Sequence, residues 1–225
     1  MEIRWLGHAC FSLEHDGTRV LVDPFLTGNP KAAVTAAEVE ADVILLTHGH
    51  GDHVGDTVDI AKRTRAPVVA ITELAREIGE DLHADHQVFD PNLGGTIVFD
   101  WGWVKLVQAW HTSTTPKGTV NTPAGLVINL GGRTIYHLGD TALFGDLQLI
   151  GHRSGPIDVA LMCIGGHYTM DRHDAVIAAD LISAREVIPC HYGTFPILTG
   201  TPARLKELAA GVEVHDLEPG GSLDL

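Results

Sequence analysis

Residues 45–56 read LLTHGHGDHVGD, and between His48 and Asp56 they hold three histidines and two aspartates. An apolar run, Val43 to Leu46, comes just before. Residues 42–46 (DVILL) are most simply a short strand buried on both faces. Strand ends and their loops are where α/β proteins build sites, so a buried strand that ends in imidazoles and carboxylates points to chemistry at that end. In an extended backbone His48 and His50 point to the same side and can meet one cation. Asp52 and His53 follow where the chain turns into a helix and can aim at a second position nearby. Gly49 and Gly51 are expected to allow the tight path between them. Neutral imidazole and carboxylate are the usual ligands of zinc and similar divalent ions. The alternative, a polar surface loop, would have to gather four ligand-type side chains within six residues by chance. A helical His-Glu-x-x-His site is excluded by the spacing.

Upstream of this stretch, IRWLGHACFSLEHDGTRVLVDP reads as a β-meander turning at Asp16-Gly17. Downstream, residues 55–65 read as a helix, APVVAI as a strand, and TELAREIG as a helix with Thr72 as its N-cap. Strands are predicted over Thr96 to Asp100, Val104 to Trp110, Gly125 to Leu130 and Thr134 to His137. A helix over LFGDLQLIGH follows. The pattern then repeats as strand DVALMCI, helix DAVIAADLISA, strand EVIP, helix PARLKELAA and a short strand near Val212 to Val214. Strand-rich stretches alternate twice with strand–helix units. That order predicts an α/β fold, a four-layer αββα sandwich of two mixed β-sheets with helices outside. Residues 1–225 are expected to form a single domain, with no linker or short-period repeat.

Two ions need more ligands than one loop supplies. His111 follows the strand ending VQAW, Asp140 follows TIYHLG, and His191 follows EVIPC. Singly, each reads as a loop residue or, for Asp140, a helix cap. Together with His48, His50, Asp52 and His53 they make seven ligands, enough for two ions.

Composition narrows the partners. The 225-residue chain has 15 basic and 29 acidic residues and a formal charge of −14, which disfavours nucleic acid. The basic cluster Lys62-Arg63-Thr64-Arg65 falls at an expected helix C-terminus, where the dipole favours cations. Three widely spaced cysteines, Cys10, Cys163 and Cys190, fit a reducing, cytoplasmic setting. Cys190 is expected to be buried and inert. No apolar run approaches the roughly 20 residues of a membrane span, so a membrane partner is not expected.

THGHGDH matches the His-x-His-x-Asp-His signature of the metallo-β-lactamase superfamily, and His111, Asp140 and His191 follow in the order that superfamily uses. WLGHACFSLE, VDPFLTGNP, HLGDTALFGD, IGGHYTM and IPCHYGTFP resemble, more closely, the small metal-dependent hydrolases that neighbour the ascorbate-6-phosphate lactonases and N-acylphosphatidylethanolamine phospholipase D. The resemblance runs from Ile3 to about Pro196. It implies the metallo-β-lactamase fold and a binuclear site, with His48, His50 and His111 on one ion, Asp52, His53 and His191 on the other, and Asp140 bridging. Two divalent ions per chain are implied, zinc first, with manganese, iron or nickel as alternatives. The Thr-rich segment around Thr112 to Asn121 is harder to align with the family.

The expected activity is a metal-dependent hydrolase that uses a metal-bound hydroxide on a small ester, lactone or phosphodiester. No Gly-x-Ser-x-Gly elbow is present. Asp52 would orient the hydroxide as well as ligate. His8 and His167 are candidates to contact substrate or protonate the leaving group, or else to orient a ligand imidazole. Asp23 and His137 are expected in that orienting role. Tyr168 and Tyr192 either line the cleft or pack, and Trp5, Trp101, Trp103 and Trp110 are expected in the core. The expected partner is a small molecule, anionic by analogy with the neighbouring families; self-association into a homo-oligomer is left open. Two alternatives remain at this stage, an iron-dependent oxidoreductase of the same fold and a metal-binding protein without turnover.

Overall fold

The computed structural model describes residues 1–225. The chain opens with β1 (Glu2–Gly7), β2 (Cys10–His15) and β3 (Thr18–Val22), an antiparallel meander. Its hairpin turns at Asp16 and Gly17, both with positive φ (47° and 81°), as the Asp-Gly pair predicts. Then come β4 (Val43–Leu45), α1 (Gly51–Val54), α2 (Thr57–Thr64), β5 (Val68–Val69), α3 (Thr72–Asp81) and β6 (Val88–Phe89). The second half holds β7 (Thr96–Phe99), β8 (Gly102–Gln108), β9 (Ala124–Leu130), β10 (Arg133–His137), α4 (Leu147–Ser154), β11 (Ile157–Cys163), α5 (Arg172–Ile182), β12 (Ala184–Cys190), α6 (Pro202–Leu208), β13 (Glu213–Val214) and β14 (Ser222–Asp224).

These strands form two mixed seven-stranded sheets, ordered β14-β1-β2-β3-β4-β5-β6 and β13-β12-β11-β10-β9-β8-β7. One buried apolar cluster of 59 residues runs through both, so the sheets share a core rather than each covering its own. Helices take the outer layers: α5 packs on β11 and β12 between α4 and α6, and α3 packs on β6. This is the αββα sandwich. No helix is long and apolar enough to cross a membrane.

Strand direction decides where the chemistry gathers. β1, β3 and β4 run the same way in the first sheet. In the second, β8, β10, β11 and β12 do so. The C-terminal ends of each set therefore lie along one edge of their sheet. The two edges are joined by backbone hydrogen bonds: His191 N–H donates to His8 O (3.0 Å) and Ala124 N–H to Thr47 O (2.9 Å).

The structure departs from the sequence reading in a few places. Thr72 is the first helical residue of α3, Ile71 is the N-cap, and the Thr72 hydroxyl donates instead to Asp90 O at 3.0 Å. The helix expected from Leu143 begins at Leu147, because residues 144–148 first make tighter turns in which Leu147 and Gln148 N–H donate three residues back, to Phe144 O and Gly145 O. Two short strands, β6 and β14, of two and three residues, lie outside the expected elements. Trp110 is not core. It is 60% exposed beyond the end of β8 and its ring stacks on Phe144.

Candidate metal centre

The residues expected to bind metal come from four strand ends. His48 to His53 follow β4, His111 follows β8, Asp140 follows β10 and His191 follows β12. Their ligand-type atoms converge in two groups, each within 4.8 Å: His48, His50, His111 and Asp140 in one, His8, Asp52, His53 and His191 in the other. All seven sequence-predicted ligands are thus brought together, and His8 joins them.

Asp140 lies between the groups. Its Oδ2 is 3.1 Å from His191 Nε2, 3.5 Å from His111 Nε2 and 3.9 Å from His48 Nε2, and its Oδ1 is 3.4 Å from His53 Nε2. Burial alone would push the Asp140 carboxyl up. His191 and His53 outweigh it and hold the group well below the usual carboxylate range. Burial likewise disfavours the charged form of His53, but Asp140 and Asp23 overcome this and raise that imidazole well above its ordinary value. His48 goes the other way, held low by burial and by the neighbouring histidines.

Buried nitrogens and oxygens nearly always have partners. Here His53 Nε2, Asp140 Oδ1 and His191 Nε2 have none, and His48 Nε2 faces His50 Nδ1 at 3.0 Å. Inward ring nitrogens and a carboxylate oxygen left without hydrogen-bond partners are what a bound cation resolves. The donor set, imidazole and carboxylate, suits a divalent ion of the zinc type.

A frame of hydrogen bonds fixes which nitrogen faces inward. Asp23, fully buried after β3, accepts from Thr47 N–H (2.8 Å), Thr47 Oγ1–H (2.6 Å) and His53 Nδ1–H (2.7 Å). Since the Thr47 proton goes to Asp23, His48 Nδ1–H donates to Thr47 Oγ1 (3.0 Å). With both Nδ1 atoms committed, Nε2 is the nitrogen each ring turns inward, the one that would ligate once any proton on it is released, and this is the carboxylate–histidine arrangement that orients metal ligands. His137 is buried, donating from Nε2 to Ala9 O and accepting Gly139 N–H at Nδ1, each at 3.0 Å. It holds the turn that carries Asp140.

The segment Thr112 to Asn121, opaque in the sequence, is the other half of this frame. Gly49 N–H is bonded to Ser113 Oγ (2.8 Å) and Asn121 Oδ1 (3.1 Å), and Ser113 Oγ donates to Asn121 Oδ1 (2.8 Å). The loop that follows His111 thereby pins the peptide between His48 and His50. Gly49 is required here, because a Cβ would collide with Asn121 Nδ2 and lie 2.8 Å from Thr115 Cγ2. Gly51 has room, its nearest neighbour being Pro116 Cγ at 3.6 Å, so the expectation that both glycines serve the turn holds for Gly49 alone and for a different reason. Asp56 sits apart, accepting Leu26 and Thr27 N–H.

His8, Asp52 and His167 were the residues expected to act on substrate. His8 is fully buried and braced on both sides, with Nε2 3.1 Å from Asp52 Oδ2 and Nδ1 2.9 Å from Thr194 Oγ1. Burial, only partly opposed by Asp52, lowers its pKa to about 4, so the ring is neutral and donates to Asp52. It cannot touch a substrate; it orients Asp52. Asp52 does reach a cleft of about 400 Å³, with His50, His111, Asp140 and His191 as further walls and Gly51, Thr112 and Tyr168 completing them. His167 is exposed and absent from those walls; its ring sits edge-on against Tyr168 with centroids 4.5 Å apart. Tyr192 is packed against Trp5, 5.3 Å between centroids. Cys10, Cys163 and Cys190 are free and buried, and burial raises all three thiols. A larger depression of about 690 Å³ beside α4 and α5 gathers no comparable ligand set.

A profile described as the beta-lactamase superfamily domain matches residues 2–191. The chain belongs to that superfamily. Among its relatives, a UPF0173 metal-dependent hydrolase of Thermococcus kodakarensis is 44% identical over 226 residues, covering the whole of both chains. Another so named, from Thermus thermophilus, is 46% identical over 228 residues, covering 100% of this chain and 99% of its own. Among solved structures, Igni18, a metallo hydrolase from the archaeon Ignicoccus hospitalis, superposes with a TM-score of 0.88 at 32% identity, covering 99% of this chain and 97% of its own. The superfamily signature and the ligand convergence thus coincide in the same residues. Relatives named metal-dependent hydrolases support an enzyme; those names specify no substrate class.

Proposed function

We propose that the chain is a binuclear metal-dependent hydrolase of a small ester, lactone or phosphodiester. His48, His50 and His111 would hold one divalent ion, Asp52, His53 and His191 the other, and Asp140 would bridge them. Zinc suits this donor set best. When bound, such ions lower the pKa of a water to about 7 and stabilise the oxyanion that forms at the scissile group.

The chain's own residues do the rest. Asp52, with Oδ2 held by His8, has a second carboxylate oxygen with which to orient the attacking water in the cleft. Asp23 and Thr47 keep His53 and His48 in the tautomer that points a lone pair inward. Ser113 and Asn121 hold the peptide between His48 and His50.

The observation that carries this reading is the unpartnered inward set around Asp140, open to a cleft on one side. The test is metal content per chain on protein purified without chelator, beside hydrolysis of bis-4-nitrophenyl phosphate and a lactone panel. Two ions per chain, with turnover that Asp140→Ala abolishes, is the expected result. One iron per chain without turnover would shift the assignment to an oxidoreductase of the same fold.

A further inference from the structure

The loops that form the cleft carry almost no positive charge. Across residues 46–56, 109–123, 138–146, 164–171 and 190–201 the only lysine or arginine is Lys117. It is paired with Asp81 on α3, away from the cleft walls. Lys31 is held over Tyr192, 4.6 Å from the ring centroid, and over Trp5. The protein as a whole carries −14. A phosphate or carboxylate placed beyond the metal ligands would lose water and meet no cation, which is unfavourable.

What the cleft does offer is an aromatic surface. Tyr168 is 57% exposed, yet it stands on a tightly bonded loop. Gly166 N–H donates to Met170 O (3.0 Å), Tyr168 N–H to Gly166 O (2.7 Å) and Met170 N–H to Thr141 O (3.0 Å). His167 takes a left-handed φ of 58° within that loop and packs its ring edge against the tyrosine. On the other side, Thr141 Oγ1 accepts Trp110 N–H at 2.9 Å, and Ala142 N–H donates to Trp110 O. The residue after Asp140 therefore ties together the loops of two exposed aromatics, Trp110 and Tyr168. A rigidly mounted, uncovered aromatic in a cleft otherwise made of ligand-type and small polar groups provides a contact face for a ligand.

Resting on the hydrolase reading for its site, we infer that the substrate is uncharged outside its scissile group and lays an apolar, preferably aromatic, portion on Tyr168. This departs from the anionic substrate that family resemblance implies. Tyr168 is then the residue that sets specificity.

The test compares three hydroxamic acids that share a metal-binding head and differ in the group they carry into the cleft. Acetohydroxamic, benzohydroxamic and succinic monohydroxamic acids are titrated by calorimetry into zinc-loaded protein whose metal content has been measured. Benzohydroxamic acid is expected to bind about tenfold more tightly than acetohydroxamic acid, with the succinic compound the weakest. Tyr168→Ala should bring the benzo/aceto ratio to within about twofold, and Tyr168→Phe should keep it. Tightest binding by the carboxylated compound, or a ratio unmoved by Tyr168→Ala, would overturn the inference. A parallel assay with 4-nitrophenyl butyrate and mono-4-nitrophenyl succinate separates the two readings. Hydroxamate selectivity with no turnover of these esters, the lactone panel or bis-4-nitrophenyl phosphate sinks the hydrolase reading alone; turnover without selectivity sinks the specificity inference alone.

Discussion

Asp23→Asn is nearly isosteric, and its consequence follows from hydrogen counting. The carboxylate accepts three hydrogen bonds at 2.6–2.8 Å with no solvent access. An asparagine there can keep the Thr47 N–H bond with its carbonyl. Its NH₂ must then face the Thr47 hydroxyl and His53 Nδ1, where two acceptors are now needed. His53 meets that demand by moving its proton from Nδ1 to Nε2. The nitrogen that must meet the ion as a lone pair then carries the proton even in the neutral ring. Binding a cation would force the proton back and leave N–H against N–H in a buried position, a penalty of about 1–3 kcal/mol. That converts to roughly 5–150-fold in affinity, bracketing the 10–100-fold typical of losing such an orienting group. Asp23→Ala is the poorer probe. It strands the same donors and also places alanine at φ 45°, so the loss threatens folding itself.

The assay is stepwise zinc competition against a chelator at pH 7, with a urea titration of the metal-free variant to verify folding. We expect the step that reports the His53 set to weaken by 10–100-fold and the metal-free protein to lose about 1–3 kcal/mol. A folded Asp23→Asn protein that binds both ions within twofold of wild type would refute the tautomer argument.

Gly49→Ala drives a methyl group into Asn121 and Thr115 and should destabilise by about 1–3 kcal/mol while weakening the His48 set, whereas Gly51→Ala, with 3.6 Å of clearance, should stay within about 1 kcal/mol; urea midpoints and zinc competition distinguish them. The metal-free protein should lose stability as pH falls from about 6.5 toward 4. His8, lowered to about 4, and His48, well below its usual value, stay neutral in the fold while the unfolded chain takes protons. The sign for His53 is opposite: its raised value stabilises below about 6.5 and that contribution fades as pH climbs through the folded pKa. Urea midpoints against pH, with His8→Gln flattening the acid limb, check this. His167→Asn, which suits the left-handed φ of 58°, should lower kcat by less than about tenfold on any ester that turns over, against the 10²–10⁴ of a lost general acid, because the ring stands off the cleft wall.

Which parts of this molecule could be read in advance follows from how local each signal is. The buried run before His48 and the histidine spacing lie within a dozen residues, and alternation of strand and helix patterns is a short-range signal too, so the sandwich and the four ligand-type residues of the first loop are legible, whereas His111, Asp140 and His191 gain meaning only as a set of strand ends read together with it. Of the two residues expected to orient a ligand imidazole, Asp23 does so at His53, while His137, the last residue of β10, instead bonds Ala9 O and Gly139 N–H and steadies the turn before Asp140. His8 and His167 look alike in sequence, since each follows a strand and a glycine-containing turn. They differ only in tertiary surroundings: β1 runs into the joint between the sheets, burying His8, while the loop after β11 projects His167 into solvent.

Ser113, Thr47 and Asn121 carry no such signal. Threonine, serine and asparagine are the ordinary residues of loops, and their role exists only once Gly49 and Asn121 meet across 72 positions of chain. The same holds for Trp110, whose neighbours in sequence spell a buried strand while its backbone has already left the sheet to meet Thr141. This division has a physical basis. Metal ligands must be imidazoles or carboxylates, so chemistry restricts their identity. The groups that orient them need only one donor or acceptor, and many residues supply that. Thr47 shows the consequence: one hydroxyl, accepting from His48 and donating to Asp23, couples the tautomers of two ligands in different groups. Exchange for valine would keep its shape and remove that coupling, so the effect should be felt at His48 and His53 together.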